Sequence, residues 1–380
     1  MGRKSTGQNV FDQTLDRIRE IYAMKARPVV SFSAGKDSTI VLEMALIVAR
    51  ELKQLPLDVV MHDEEIAYPG TYEFAERTAA REDIRFWWLN SHQPMLNAFN
   101  REKPYWWIFD LELSPDEWVR QPPAIALEFE KQDIADITGI VPMRPGDTEL
   151  INVMGLRGQE SARRLMSIHS SGGHMTKHKQ RGGFRNSRPI YDWLDGDVWR
   201  AINVMKWDTN KAYDVLMRQG VKTSMLRVGP PTMTHGSIDM LGLASRIWPQ
   251  WFERVAARCP GIRSAAQFGS RVLRPKPFPK ETWEECYQRL CIDDAPDWIK
   301  PRAEKVAARI RSAHAKHSAH PVPELVRCMA CGDAMGSWKQ MVKVMYSGDP
   351  FSLKQSILPF VQPDFFRAGA RRFERAPTVG

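Results

Sequence analysis

Ser31-Phe32-Ser33-Ala34-Gly35-Lys36-Asp37-Ser38-Thr39 joins the β-rich run Arg27–Ser33 to a helical pattern over Thr39–Leu52. In that pattern Ile40, Val41, Met44, Ala45, Ile47 and Val48 recur at helical spacing. Pro28 suits the start of a strand. The sequence therefore reads as strand, glycine turn, helix. The free N–H groups of a helix N-terminus, with the helix dipole, form an anion site. Gly35 permits close backbone approach. Ser33, Ser38 and Thr39 offer hydroxyls, and Lys36 supplies a cation. Asp37 would repel a bare phosphate, but it suits a Mg²⁺ that bridges phosphates. An ordinary capped turn does not need Ser, Gly, Lys, Asp and Ser packed so closely.

Outward from this turn the pattern repeats. A helix is expected over residues 9–26, from the spacing of Val10, Phe11, Leu15, Ile18, Ile21 and Tyr22. Further strands are expected at Leu57–His62, Ile84–Leu89 and Leu150–Met154, with a helix over Thr71–Arg81. Strands alternating with helices indicate a parallel sheet covered on both faces. The aromatic segment from Pro104 to Pro123 reads as packing. Gly172–Arg188 has two Gly-Gly pairs and no apolar period, so it reads as a loop. Residues past about 245 look mainly helical. The expected organisation is a nucleotide-binding α/β domain at 1–245 and a helical, cysteine-bearing region at 246–380.

The spacing of the turn is not that of the Walker loop, G-x-x-x-x-G-K-[ST]. Ser33-Ala34-Gly35-Lys36-Asp37-Ser38 resembles the PP-loop, SGGKDS, of the N-type ATP pyrophosphatases and the phosphoadenosine phosphosulfate (PAPS) reductases. Ala34 replaces the first Gly, which such a loop tolerates if φ there is negative. Three further segments resemble the family in order. His62-Asp63-Glu64-Glu65 through Thr71 is similar to its D-T-G…P-x-T segment, with Glu64-Glu65 in place of Thr-Gly. Gly155-Leu-Arg157 through Arg164 is similar to its G-x-R-x-x-E/Q-S-x-x-R segment. Pro189-Ile-Tyr-Asp192-Trp193 through Trp199 is similar to its P-I-x-D-W segment.

The resemblance implies an adenine-nucleotide α-hydrolase-like sheet, with ATP or PAPS held by Ser33, Gly35, Lys36, Asp37, Ser38, Thr39, Asp63, Arg157, Glu160, Ser161 and Arg164. Lys36, Asp37 and Arg157 are the candidate catalytic residues. Arg157 and Arg164 would face the phosphates, and Arg157–Arg188 would close over them. From the residues alone, Arg157 follows a strand end, where ligands bind in open α/β sheets, and its fork suits phosphate oxygens. A salt bridge to Glu160 is the plainer alternative.

Three functions are open. The first is Mg²⁺-dependent cleavage of ATP to AMP and pyrophosphate, with substrate adenylation or sulfur transfer. The second is reduction of PAPS to sulfite. Family reductases use a Cys in an E-C-G-x-H-like segment, and Glu285-Cys286-Tyr287 lacks both the Gly and the His. The third is a non-catalytic nucleotide-dependent regulatory or nucleic-acid-associated module. The layout is similar to PAPS-reductase-family proteins of phages and genomic islands, and more distantly to the sulfur-transfer ATPases of DNA phosphorothioation.

All five cysteines, Cys259, Cys286, Cys291, Cys328 and Cys331, lie in the last third of the 380 residues. An odd, clustered set without a secretory signal argues against a disulfide scaffold and for a reduced, cytoplasmic protein. Cys328-Met-Ala-Cys331-Gly332 spaces two thiolates for one metal ion. The expected metal set is Cys286, Cys291, Cys328 and Cys331, with His314, His317 and His320 as alternative ligands. Zn²⁺, an iron–sulfur cluster and a redox dithiol all suit the spacing. Cys259 reads as a core residue.

Formal net charge is +9, and it concentrates between Arg157 and Arg188, where Glu160 is the lone acid. Such charge speaks to anionic partners rather than to fold. Candidate partners are the nucleotide, a nucleic acid and a protein encoded nearby. No apolar stretch is long enough to span a membrane.

Overall fold

The computed structural model describes residues 7–129, 140–178, 184–229, 235–269, 275–331 and 336–366. The chain forms two compact units. One comprises residues 1–93 and 108–230, the other 94–107 and 231–380.

The first unit begins with α1 (Val10–Ala23), whose N-cap Asn9 accepts from the Asp12 N–H at 2.9 Å. Such a cap contributes about 1 kcal/mol. Then come β1 (Arg27–Ser31), α2 (Lys36–Glu51), β2 (Leu57–Asp63), α3 (Thr71–Ala79) and β3 (Ile84–Ser91). The next two strands, β4 (Pro94–Leu96) and β5 (Tyr105–Trp107), belong to the second unit. The first unit resumes with β6 (Leu127–Phe129), β7 (Leu150–Met154), α4 (Ala162–Ser170), β8 (Arg185–Ser187), α5 (Asp195–Met205) and α6 (Ala212–Arg218).

Six strands form one sheet in the order β6-β3-β2-β1-β7-β8, every pair parallel. Parallel strands buried on both faces need apolar residues at successive positions. Val29 and Val30 meet this, both wholly buried on opposite faces. On Val30's face Val59, Trp88, Ile151 and Val153 pack beneath Ile18 and Ile21 of α1, Val41 and Met44 of α2, and Val198 of α5. On the other face Val29, Val60, Leu89 and Leu150 pack with Val141 and Phe184. The chain runs outward from β1 through β2 and β3, then restarts on the other side at β7. The gap between the carboxyl ends of β1 and β7 is thus the topological switch point, where open α/β sheets bind ligands.

The strand β8 corrects the reading of Gly172–Arg188 as loop throughout. Arg185, Asn186 and Ser187 extend the sheet beside β7, and Asn186 Oδ1 accepts from Asn152 Nδ2 at 3.0 Å. A three-residue polar strand has no alternation to reveal it. Lys179 and Arg181 of that segment lie outside the described residues.

The second unit adds α7 (His235–Ile247), α8 (Pro249–Arg258), α9 (Ile262–Phe268), α10 (Trp283–Gln288), α11 (Lys300–His317) and α12 (Trp338–Met345) to the β4–β5 hairpin. The division at 230 differs from the expected boundary at 245. The helix α7 straddles residue 245 and packs on α8 and α9. A Cβ at Gly242 would meet Ala266 O at 2.6 Å, so α7 and α9 cross in close contact. Tyr105, Trp106 and Trp107 are buried, with Tyr105 edge-on to Phe351 at 4.9 Å. Among the described residues no helix is long and apolar enough to cross a membrane.

Candidate active site

The turn after β1 is braced from several sides. The Ser33 N–H donates to Ser38 Oγ at 3.2 Å. Ser38 Oγ and Thr39 Oγ1 both donate to Gly35 O, at 3.0 and 2.9 Å. The Lys36 N–H donates to Tyr213 Oη at 2.9 Å, and Asn210 Nδ2 donates to Ala34 O at 3.1 Å. Ala34 has φ +53°, so the condition of a negative φ is not met. The left-handed conformation costs an L-residue roughly 1–2 kcal/mol, and the Asn210 bond and complete burial of Ala34 hold it there.

Gly155, directly after β7, lies against this turn. A Cβ there would sit 2.7 Å from the backbone carbon of Asp37 and the nitrogen of Ser38. Neither atom can swing away as a side chain can. Gly155→Ala is therefore expected to displace the turn and weaken nucleotide binding about tenfold or more, roughly 1.4 kcal/mol. Calorimetric titration of the variant checks this, and an unchanged affinity would refute the close-approach role.

The turn opens into a cleft of about 460 Å³ lined by Ser33, Gly35, Lys36, Asp37, Ser38, His62, Glu64, Tyr72, Glu160, Arg164 and Arg227. The volume is in the range of small-ligand sites. Lys36 is 2% exposed, and its Nζ lies 3.0 Å from Asp37 Oδ2. Burial lowers its pKa, opposed by Asp37. Arg164 pairs with Glu160, and Ser161 caps α4 by accepting from the Arg164 N–H at 3.1 Å. Thr39 is buried behind the turn.

Thr39 and Ser161 do not line the cleft, and two more of the expected nucleotide contacts, Arg157 and Asp63, also sit elsewhere. Arg157, 1% exposed, does not line the cleft. Its Nε bonds Asp37 Oδ1 at 2.7 Å, and its Nη2 bonds Asp195 Oδ1 at 2.7 Å. It ties the phosphate turn to α5 and neutralises Asp37, and its partner is not Glu160. Asp63 is fully buried. Its oxygens accept from Trp88 Nε1 at 2.8 Å, Arg120 Nη1 at 2.8 Å and the Glu65 N–H at 2.9 Å. Arg120 in turn stacks on Tyr72, 3.7 Å from the ring centre. Asp63 therefore braces the strand end. Asp37 also does not suit direct Mg²⁺ ligation, since both its oxygens already face cations.

Glu65 occupies the position of the family's Gly with φ +59°. Its carboxylate accepts from the N–H groups of Phe109 at 2.5 Å and Val119 at 2.9 Å. These bonds offset the strain and fix the segment after Ile108. Glu64, its neighbour, lines the cleft. Burial, reinforced by the charge of Asp63, pushes its carboxyl up to about 7. Neither Glu64 nor Arg227 was among the sequence candidates. Arg227 belongs to none of the motifs, and only the fold brings it to the cleft.

The basic concentration is partly internal. Arg185 bonds Glu149 at 2.5 Å, and Arg188, 6% exposed, donates to Ser171 Oγ at 2.9 Å. The Pro189–Trp193 segment docks on α1. Arg17 grips Asp192 with two bonds of 2.8 Å, and Trp193 Nε1 donates to Thr14 Oγ1 at 2.9 Å.

In the second unit the four-cysteine metal set is not assembled. Cys286 and Cys291 are wholly buried in an apolar cluster with Tyr287, Val306, Ile310 and Trp338. Burial raises both thiols, Cys291 to about 12. Cys328 and Cys331 instead lie beside His314.

The family model of the phosphoadenosine phosphosulfate reductase domain matches residues 27–220. The uncharacterized protein YbdN of Escherichia coli K12 is 23% identical, over 96% of this chain and 94% of its own length. Among solved structures, the FMN adenylyltransferase of Candida glabrata bound to FMN and an ATP analogue aligns with a TM-score of 0.35 and 13% identity. That alignment covers 56% of this chain and 64% of the other, so the chain spans just under two thirds of the adenylyltransferase. The PAPS reductase of Candida auris aligns with a TM-score of 0.31 and 13% identity, over 60% of this chain and 98% of the other. The domain match runs from β1 through α6, taking in the phosphate turn, Gly155 and the Pro189–Trp193 segment, and on that match the chain belongs to the phosphoadenosine phosphosulfate reductase family.

Proposed function

We propose that the chain binds Mg²⁺-ATP in the cleft beside the phosphate turn and cleaves it to AMP and pyrophosphate, adenylating an acceptor as in sulfur-transfer chemistry. The observation that carries this reading is the cation set at the switch point: Lys36 in the first turn of α2, with Arg164 and Arg227 lining the same cleft. An acceptor nucleophile attacks the α-phosphorus and the bond to the bridging β-phosphate oxygen breaks, releasing pyrophosphate; a second nucleophile, sulfur in sulfur transfer, then attacks the adenylated acceptor and displaces AMP. Lys36 and the N-terminal end of α2 stabilise the charge that builds on the departing pyrophosphate. Arg157 holds Asp37 and the turn in place, acting as a positioning residue.

Reduction of PAPS is less well supported. The cysteine in the segment nearest to the family's nucleophile motif, Cys286, is wholly buried, and its pKa is raised by that burial and by Glu281. Such a thiol is protonated and inert. Incubating the protein separately with ATP and with PAPS, and following pyrophosphate, AMP and sulfite, tests the proposal. Pyrophosphate and AMP from ATP support it. Sulfite from PAPS would overturn it, as would ATP binding without turnover in the presence of thiol and nucleic-acid acceptors.

A further inference from the structure

We propose that Cys328, Cys331 and His314 form a mononuclear zinc site in the second unit, independent of the nucleotide cleft. Their candidate ligand atoms all lie within 4.8 Å of one another. Ligands of a tetrahedral zinc, bound at about 2.0–2.3 Å, stand roughly 4 Å or less apart. Small side-chain rotations therefore close the set.

Two further observations at these residues point to a ligand. The first is the state of His314. It sits near the C-terminal end of α11, on the stripe of Ala303, Val306, Ala307 and Ile310 that faces the core. It is 4% exposed, and neither ring nitrogen has a hydrogen-bond partner. A buried polar atom left without a partner costs about 1–3 kcal/mol. Coordination removes that cost at the ligating nitrogen. The second is the shape of the Cys328–Cys331 turn. The Cys328 N–H donates to Gly336 O at 3.2 Å and closes the loop. The backbone N–H groups of Cys331 and Ala330 face the Cys328 sulfur.

The donor set selects the metal. Two thiolates and one imidazole suit zinc rather than Mg²⁺ or Ca²⁺. A cubane cluster needs four thiolates. Only two are here, because Cys286 and Cys291 are held in the apolar cluster. The site ties α11 to the segment leading into α12, between Ser318 and Ser337, where the described residues form no helix or strand. Three protein ligands leave the fourth tetrahedral position to water, and the binding energy of the zinc would appear as folding stability.

The full chain, purified without chelator, is expected to carry about one zinc per molecule by elemental analysis. Cys328→Ser and Cys331→Ser should each lose most of it, and Cys259→Ser should keep it. His314→Ala should lose it and His314→Cys retain it, which separates ligation from a packing defect. Chelation should lower Tm, and added Zn²⁺ but not Mg²⁺ should restore it. Cobalt substitution should give the intense visible bands of a tetrahedral thiolate site. A Cys328–Cys331 disulfide with no zinc in the protein as purified without chelator, iron with acid-labile sulfide, or full zinc retention in both Cys328→Ser and Cys331→Ser would each overturn the proposal.

Discussion

Lys36→Met is expected to lower ATP cleavage by roughly 10²–10³-fold, the scale of losing one charged donor to a transition state, about 3–4 kcal/mol. The fold should survive. The Lys36 stem is buried, and Met keeps a flexible apolar chain of similar length in that space. Asp37 loses one partner but keeps Arg157 at 2.7 Å. Burial lowers the Lys36 pKa, so its charged form is held at a cost in the free protein. That cost grows as pH falls from the ordinary lysine value through the folded one. Removing the ammonium should therefore leave Tm unchanged or slightly higher while turnover collapses. Paired measurements of Tm and of pyrophosphate release test both halves. A large fall in Tm would make Lys36 a structural residue, and undiminished turnover would remove it from the chemistry.

The sheet was legible because parallel strands carry apolar runs, and the phosphate turn because five functional residues crowd into six positions. The strand at Leu150–Met154 matched its expected bounds. What escaped depended on partners distant in sequence. Arg157 reads as a phosphate fork until Asp37 and Asp195 are seen on either side of it. The left-handed conformation of Ala34 cannot be read from a residue that normally avoids it. Asn210, which braces that turn, lies 176 positions away. His314 was one of three alternative histidines, and only the packing of α11 singles it out. Cys286 and Cys291 looked like ligands by type, but they pack in an apolar cluster, and the gathered set is His314, Cys328 and Cys331. The two carboxylates after Asp63 are adjacent yet have opposite fates: Glu65 accepts two backbone N–H groups, while Glu64 faces the cleft.

That difference makes Glu64 the source of the second large effect. Its carboxyl, ordinarily near 4.5, is raised to about 7 first by burial and then by Asp63. Between those values the folded protein binds a proton that the unfolded chain releases. Stability therefore falls as pH rises from 4.5 to 7 and loses nothing further from this group above 7. The full effect is at most about 3 kcal/mol, since Glu64 retains some solvent contact along the cleft. Glu64→Gln should abolish this slope. Its advantage in Tm over the parent should be small at pH 5 and grow to several degrees, about 5–10 °C at most, by pH 8. Nucleotide affinity should follow the same curve, because ionised Glu64 puts a negative charge in the cleft that receives phosphates. His62, whose pKa is lowered by desolvation, loses positive charge as pH rises and so does not oppose this trend. ATP binding by the parent should weaken as pH rises through 7, and binding by Glu64→Gln should stay level. Parallel pH profiles for the two proteins, in Tm and in affinity, would show that Glu64 is already ionised at low pH and that the cleft is wetter than its geometry implies.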